Sequence, residues 1–234
     1  MTNCLTQTRF SIRGAKIRLV TASTDGYFAL WDLTSTLEKF YDANYSPLKA
    51  RSLFAGPDSS PEKITYENRY RIHSNSIKAM ELVPITDDAT CILAGGDDNS
   101  LSISLLKTTS SNTPSHVATI SIPDAHAASL EAVEVLRKEK LPRRETIQVI
   151  VATAGNDHRL KIWSITVDPS QPDTQGINVE FLLDRYTSVA DISSLGIIQD
   201  RDEHAENSIH MRKTAKVNFI ICGVGMELLE VGLP

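Results

Sequence analysis

Two segments of this chain repeat the same residue pattern. Residues 20–31 read VTASTDGYFALW, and residues 152–163 read ATAGNDHRLKIW. In each, an apolar run leads to an Asp, and a second apolar run ends in a Trp six residues after that Asp. Apolar runs on either side of a turn residue predict a β-hairpin. One hairpin buries too little surface to be stable alone, so its recurrence predicts a chain of repeated, stacked β-sheets.

The pattern continues along the chain as four related units. The predicted hairpins lie near 17–33, 89–106, 147–165 and 217–231. They resemble the inner hairpins of WD-repeat blades, which are four-stranded antiparallel sheets set around a channel. The resemblance implies an all-β fold, a WD-type β-propeller of about four degenerate blades over residues 1–234. Because WD propellers commonly need more blades to close, we expect a partial ring, either a piece of a longer protein or one that needs a neighbouring half. A closed ring of four blades is the less favoured alternative. Polar segments between the strands are predicted to be loops: 34–62, 107–115, 137–146, 166–177 and 199–214.

Polar residues recur at fixed places in these units. In a WD repeat, an Asp at the hairpin turn is joined by hydrogen bonds to a His before the sheet, a Ser or Thr on the second strand, and a Trp on the third. A buried carboxylate needs such donors, because leaving it unpaired is costly. The third unit offers the full set of His126, Thr153, Asp157 and Trp163.

The other units offer only part of this set. The first has Thr21, Asp25 and Trp31 but no His in residues 1–24. The second has His73 and Asp98, with Ala94 and Ser104 in the remaining two places. The fourth has Gly225 and Val231 where Asp and Trp are expected. We therefore expect the histidines of the second and third units to be structural.

Motifs for catalysis or cofactor binding are missing from the sequence. It contains no nucleophile elbow, P-loop, metalloprotease or zinc-deaminase signature. The run Gly223-Val224-Gly225 lacks the third glycine of a dinucleotide loop, and His204 and His210 lie in a polar, acidic segment. We expect no catalytic residue, no cofactor and no metal, and predict that the chain is not an enzyme.

The charge pattern limits the ways in which the chain could bind nucleic acid. The formal net charge is -5, so any RNA contact must be a local basic patch. Two basic clusters lie in equivalent predicted loops of neighbouring units, so they are expected to emerge on one face. Their residues are Arg137, Lys138, Lys140, Arg143 and Arg144, and then Arg212 and Lys213. They are candidates for RNA contact, and a solvated basic loop without a partner is the alternative.

The three cysteines are far apart and form no disulfide framework, which favours a reducing compartment. Residues 1–14 contain no apolar core of a signal peptide, and no apolar run is long enough to span a bilayer. We therefore expect a cytoplasmic chain without membrane insertion.

The C-terminal quarter carries a more particular resemblance. RYTSVADISSLGII at 185–198 and FIICGVGMELLEV at 219–231 are similar to the end of one WD-repeat family. Its members partner the methyltransferase that 2′-O-methylates the wobble nucleotide of the tRNA anticodon. The resemblance implies a non-catalytic adaptor whose partners are that methyltransferase and tRNA, with S-adenosylmethionine bound by the partner. The alternative is a generic WD-repeat scaffold for protein interactions, without RNA contact.

Overall fold

The computed structural model describes residues 4–13, 16–42, 65–108, 114–142, 146–171, 173–198 and 216–233. They form four antiparallel β-sheets in chain order. Sheet 1 has strands β1 (Leu5–Arg13), β2 (Lys16–Ser23), β3 (Tyr27–Asp32) and, after a short helix α1 (Thr34–Asp42), β4 (Asn68–Arg71). Sheet 2 has β5 (Ile77–Pro84), β6 (Ala89–Gly96), β7 (Leu101–Thr108) and β8 (Pro114–Ile122). Sheet 3 has β9 (Leu130–Lys140), β10 (Ile147–Gly155), β11 (Arg159–Val167) and β12 (Ile177–Tyr186).

Sheet 4 is built from β13 (Ala190–Ile198) and one long extended run, β14 (Lys216–Gly232). Lys216 Nζ lies 2.7 Å from Glu230 Oε1. A straight strand would hold these residues about 46 Å apart, at about 3.3 Å per residue. The run therefore turns back on itself, and Gly225 has a positive φ of 106° within it. Its two arms lie where the sequence predicts a hairpin, near 217–231.

Three apolar cores alternate with the four sheets. Strand β10 shows how, because its successive side chains point to opposite faces. Val149 and Val151 pack with sheet 2, whereas Ile150 and Ala152 pack with sheet 4. The core between sheets 1 and 2 has the same character, with Phe28 among its largest members. The first strands of neighbouring sheets also pack on one another. The predicted all-β fold of four sheets is confirmed.

Four of the five predicted loops are partly regular structure. The loops 107–115 and 166–177 overlap the ends of β7, β8, β11 and β12, and 166–177 also contains a 3-10 helix at Asp173–Gly176. The insert at 34–62 begins with α1, where the Thr34 amide donates to Asp32 Oδ1 at 2.8 Å, and an acidic acceptor at this end favours a helix start. Residues 43–64 lie outside the described chain. The predicted loop at 137–146 is also shorter, because β9 continues to Lys140, which pairs with Ile147. Charged side chains do not prevent backbone pairing at an exposed strand end, so the polar sequence of β9 was misleading.

Gly26 links sheet 1 to the start of sheet 2. Its carbonyl accepts hydrogen bonds from the amides of Ile72 and His73, at 3.0 and 3.2 Å. Its φ is +81°, and a Cβ here would lie 2.2 Å from the carbonyl oxygen of His73. Only glycine fits this turn without strain.

We predict that Gly26→Ala lowers the free energy of unfolding by at least about 2 kcal/mol, through left-handed backbone strain and the clash with the His73 carbonyl. Urea denaturation measures the change. Gly232→Ala is the matched control, because a Cβ there meets nothing within 4 Å. Equal stability of the two variants would contradict the role given to Gly26.

Candidate functional site

The polar set of sheet 3 is one continuous chain of hydrogen bonds. Trp163 Nε1 donates to Thr153 Oγ1 at 2.9 Å. Thr153 Oγ1 lies 2.8 Å from His126 Nε2, and His126 Nδ1 lies 2.9 Å from Asp157 Oδ1. The other oxygen of Asp157 accepts the amide of Ala127 at 2.9 Å. The indole N–H can only donate, so a single proton order satisfies every group: Trp to Thr, Thr to His, His to Asp.

Electrostatics agree with this proton order. Burial lowers the pKa of His126, outweighing the pull of Asp157 toward the charged imidazolium. Burial would raise the pKa of Asp157, but bonds from His126 and the Ala127 amide outweigh it, and the net shift is downward. The pair is therefore a neutral imidazole that donates Nδ1–H to an ionised carboxylate, and both groups are held by neighbours in the fold.

Sheet 2 has the same hydrogen-bonded His–Asp pair, but its histidine contacts a serine hydroxyl in place of the threonine hydroxyl of sheet 3. His73 Nδ1 lies 2.7 Å from Asp98 Oδ1, and His73 Nε2 lies 2.8 Å from the Oγ of Ser102. Sequence reasoning missed Ser102, which lies on β7 directly opposite Ala94 on β6. Ser104, placed in the Trp position by the sequence, lies 2.6 Å from Thr119 Oγ1. The serines at alternate positions of β7 were the available signal.

The carboxylate of Asp98 is held by several donors. Ser100 Oγ donates to Oδ1 at 2.7 Å, and the Ser74 amide donates to Oδ2 at 2.7 Å. Burial alone would raise the pKa of Asp98, but these bonds and His73 lower it to about 2. The charge at this turn is thus stabilised by the loop that enters sheet 2.

Sheet 1 replaces the missing histidine with an arginine. Asp25 accepts hydrogen bonds from the Arg69 guanidinium on β4 and from the Ser23 hydroxyl. Arg69 also lies over the Tyr27 ring, 3.9 Å from its centroid. Trp31 Nε1 donates to Thr21 Oγ1 at 2.9 Å, as the Trp–Thr pair of sheet 3 does. The net pKa shift of Asp25 is downward, because these donors outweigh its burial.

In sheet 4, Gly225 and Val231 occupy the Asp and Trp positions, and a glutamate further along the chain accepts the donors of the entry loop. Glu227, two residues beyond Gly225, accepts the Thr187 hydroxyl and the Ser188 amide, each at 2.7 Å. The Thr187 bond is the main cause that lowers the pKa of Glu227, followed by the Ser188 amide. Thr187 precedes β13 as His126 precedes β9. An alignment of the units by their turn residue misses Glu227, because Glu227 lies two residues beyond the turn position. Its longer side chain still reaches the loop that precedes β13.

The described basic candidates lie on a strand end rather than in a loop. Arg137, Lys138 and Lys140 are exposed on the last residues of β9. Arg137 Nε lies 3.3 Å from Glu139 Oε1, and Lys138 Nζ donates to the carbonyl oxygen of Pro84 in sheet 2 at 2.8 Å. The remaining candidates lie outside the described residues: Arg143, Arg144, Arg212 and Lys213.

A cavity of 160 Å³ lies where the first strands of all four sheets converge. Arg9 of β1 and Glu81 of β5 form an ion pair beside it. Burial, and then the nearby Glu81, raise the pKa of Glu134 on β9. The cavity is polar. Arg9, Glu81 and Glu134 lie on neighbouring strands around it, and the positive charge of Arg9 partly neutralises the negative charges of the two glutamates.

Two further findings concern metal and membrane. Within the described ranges, no group of three or more His, Cys, Asp or Glu side chains is placed to hold a metal ion. None of the helices described there is long and apolar enough to cross a bilayer.

Cys91 is buried in the core of sheet 2, and burial raises its pKa to about 12.

Comparison with known proteins gives structural neighbours only. No family model and no curated protein sequence matches the chain. The WD40 domain of SCAP from fission yeast aligns with 100% of this chain and 45% of its own, at 10% identity and a TM-score of 0.46. The C-terminal WD40 domain of Sif2 aligns with 98% and 46%, at 14% identity and a TM-score of 0.47. A chain of the mitotic checkpoint complex aligns with 97% and 51%, at 14% identity and a TM-score of 0.40.

Four antiparallel sheets in chain order, each with a carboxylate at or near its hairpin turn that is held by donors of the fold, have the arrangement of β-propeller blades. The chain has a β-propeller fold. Its sheets 1 to 4 are blades 1 to 4, and β1, β5, β9 and β13 are their inner strands. The chain spans about half the length of the three solved chains described above.

We predict that Asp157→Ala lowers the free energy of unfolding by about 1–3 kcal/mol, because His126 and the Ala127 amide lose a buried acceptor. Thermal or urea denaturation measures the loss. Glu180→Ala, at an exposed position of β12 in the same blade, is the control and should change stability by less than about 0.5 kcal/mol. An unchanged Asp157→Ala transition would show that the bonds contribute nothing to stability.

Stability should also depend on pH in two ranges. His126 and Asp98 both have pKa values below their ordinary 6.5 and 3.8, so each contributes stability that is complete above the ordinary value. That contribution is lost as pH falls, first below 6.5 for His126 and then from 3.8 toward about 2 for Asp98.

The variant Asp98→Asn isolates the lower range. Its deficit in unfolding free energy relative to the unmodified protein should be largest near neutral pH and should shrink as pH falls from about 4 toward 2. Urea titrations across this range measure the difference. A deficit that stays constant would mean that ionised Asp98 is not preferentially stabilised in the fold.

Proposed function

We propose that this chain is a non-catalytic scaffold. The observation that carries the proposal is the use of its His–Asp pairs: both are buried and closed by hydrogen bonds inside blades 2 and 3. Groups that could otherwise transfer protons stabilise turns here. What the blades offer a partner is surface, since large apolar side chains are exposed on blades 1, 3 and 4.

The finer proposal is that the scaffold holds a methyltransferase on tRNA for 2′-O-methylation of the wobble nucleotide. Its support is the C-terminal resemblance, because the two similar segments, 185–198 and 219–231, are the parts that build blade 4. The partner would bind S-adenosylmethionine and supply the chemistry, and the complex would work in the cytoplasm.

The basic end of blade 3 is the proposed place of RNA contact. Arg137, Lys138 and Lys140 are exposed there, and Arg143 and Arg144 follow in the sequence. Phosphate oxygens would have to compete with Glu139 for Arg137 and with the Pro84 carbonyl for Lys138. Those two bonds favour the second candidate, a scaffold for proteins without RNA contact.

Deletion of the gene should abolish 2′-O-methylation of the tRNA wobble nucleotide and leave other ribose methylations unchanged. Mass spectrometry of digested tRNA measures this, and expression of the full chain should restore the modification. Affinity purification should recover the methyltransferase. Normal wobble methylation in the deletion strain would leave only the general scaffold.

A charge-reversal pair tests the RNA contact separately. Arg143→Glu with Arg144→Glu should weaken tRNA binding and flatten its dependence on salt by about one unit of slope for each lost phosphate contact. Arg159→Glu with Arg185→Glu is the control, because it changes the net charge equally at the other end of blade 3. Equal effects of the two pairs would indicate only the loss of general positive charge.

A further inference from the structure

The outer strands of blades 1 and 2 meet through two stacked rings. The imidazole of His116 on β8 lies against the Tyr70 ring of β4, with centroids 5.0 Å apart and an angle of 30° between the planes. Tyr70 in turn contacts Phe28, at 5.3 Å between centroids, and Phe28 belongs to the core shared by the two blades. We call the His116–Tyr70 stack the rim contact. It connects the outer edge of blade 2 to the apolar core between blades 1 and 2.

The same imidazole ends a chain of two hydroxyls. His116 Nε2 lies 2.7 Å from Thr119 Oγ1, and Thr119 Oγ1 lies 2.6 Å from the Oγ of Ser104. Ser104 is fully buried, and Thr119 is the one partner of its hydroxyl among the described residues. Ser104 therefore donates to Thr119, which donates to Nε2 of a neutral His116. In this order each hydroxyl proton has an acceptor.

Protonation of His116 is incompatible with that order. An imidazolium has a proton on both ring nitrogens, so Nε2 can only donate, and Thr119 Oγ1 must accept from it. Nε2, Thr119 and Ser104 then hold three protons for two contacts. Either Ser104 or the half-buried Thr119 is left with an unpaired donor, which costs free energy that the neutral state does not pay.

The surroundings of the ring offer little to an imidazolium. Tyr70 is the titratable group that contacts it from β4. The charged groups on this side of blade 1 are Arg18, which lies beside blade 2, and Glu67, and they bond each other at 3.1 Å. The side chains of β7 on the same side of blade 2 are uncharged: Ser102, Ser104, Leu106 and Thr108. Burial accordingly lowers the pKa of His116.

We propose that the rim contact is a pH-sensitive switch between blades 1 and 2. Neutral His116 accepts the Thr119 hydroxyl and keeps its ring on Tyr70. Protonated His116, which is only half-buried, turns toward water at the rim, where both N–H groups are solvated. Tyr70 then loses its cover, and β4 is held less firmly against blade 2. The switch does not depend on RNA or on a methyltransferase, so its failure and that of the proposed function are separate results.

An NMR titration of the His116 ring in the full chain tests the hydroxyl chain. The pKa of His116 should lie below its ordinary 6.5, and the contact between the His116 and Tyr70 rings should weaken over the same pH range. Thr119→Val keeps the ring equally buried but removes the donor to Nε2, so the pKa should rise toward the ordinary value. Ser115→Ala, at an exposed residue of the same strand, is the control and should leave the pKa unchanged.

The variant His116→Phe tests the consequence for the fold, because it keeps a ring on Tyr70 that cannot be protonated. A lowered pKa in the fold means that neutral His116 contributes stability that is complete above 6.5 and is lost as pH falls below it. The unmodified chain should therefore lose unfolding free energy relative to His116→Phe in urea titrations at falling pH. His126 is present in both proteins, so the difference isolates His116.

Three results would each overturn the proposal. The first is a pKa of His116 at or above 6.5, which would show that stacking of the imidazolium on Tyr70 outweighs the lost acceptor. The second is a pKa that Thr119→Val leaves unchanged, which would assign the shift to burial alone. The third is a stability difference between the unmodified chain and His116→Phe that does not vary with pH.

Discussion

The interaction on which this structure depends is the ionised carboxylate at the turn of each blade. A carboxylate removed from water must be given donors or it becomes protonated. In blades 2 and 3 the donors come from the loop that enters the blade, so satisfying the charge also ties the hairpin turn to the inner strand. The turn position then sets the hairpin register, and the register decides which side chains enter each apolar core.

Three kinds of donor meet this one requirement. Blades 2 and 3 use a buried histidine, blade 1 uses the Arg69 guanidinium, and blade 4 uses the Thr187 hydroxyl with the Ser188 amide. The acceptor also varies, because Glu227 reaches with a longer side chain from a different position. The blade geometry tolerates these replacements, since what it requires is a satisfied negative charge at the turn and no particular residue type.

The use of polar side chains for bonds within the blades supports the proposed role. Most hydrogen-bonding chemistry in the described residues serves the blades, which then act as rigid supports for exposed strands and faces. Exposed apolar side chains on blades 1, 3 and 4 and the basic end of β9 offer surface to other molecules. Surfaces held on such supports bind partners with little ordering cost, which suits a scaffold that positions a reaction carried out elsewhere.

The sequence by itself determined the local features of this protein. Alternation and turn residues are properties of neighbouring positions, so they predict four hairpins and place His126, Thr153, Asp157 and Trp163 in one set. Only the tertiary structure decided that Ser102, Arg69 and Glu227 complete the other turns, because their contacts depend on strand register and side-chain reach. It also decided that Phe10, Phe181 and Met226 are exposed while Phe28 and Phe219 are buried. Apolar alternation is the same in a strand that is covered and in one that is open, so burial depends on which sheets are present to stack.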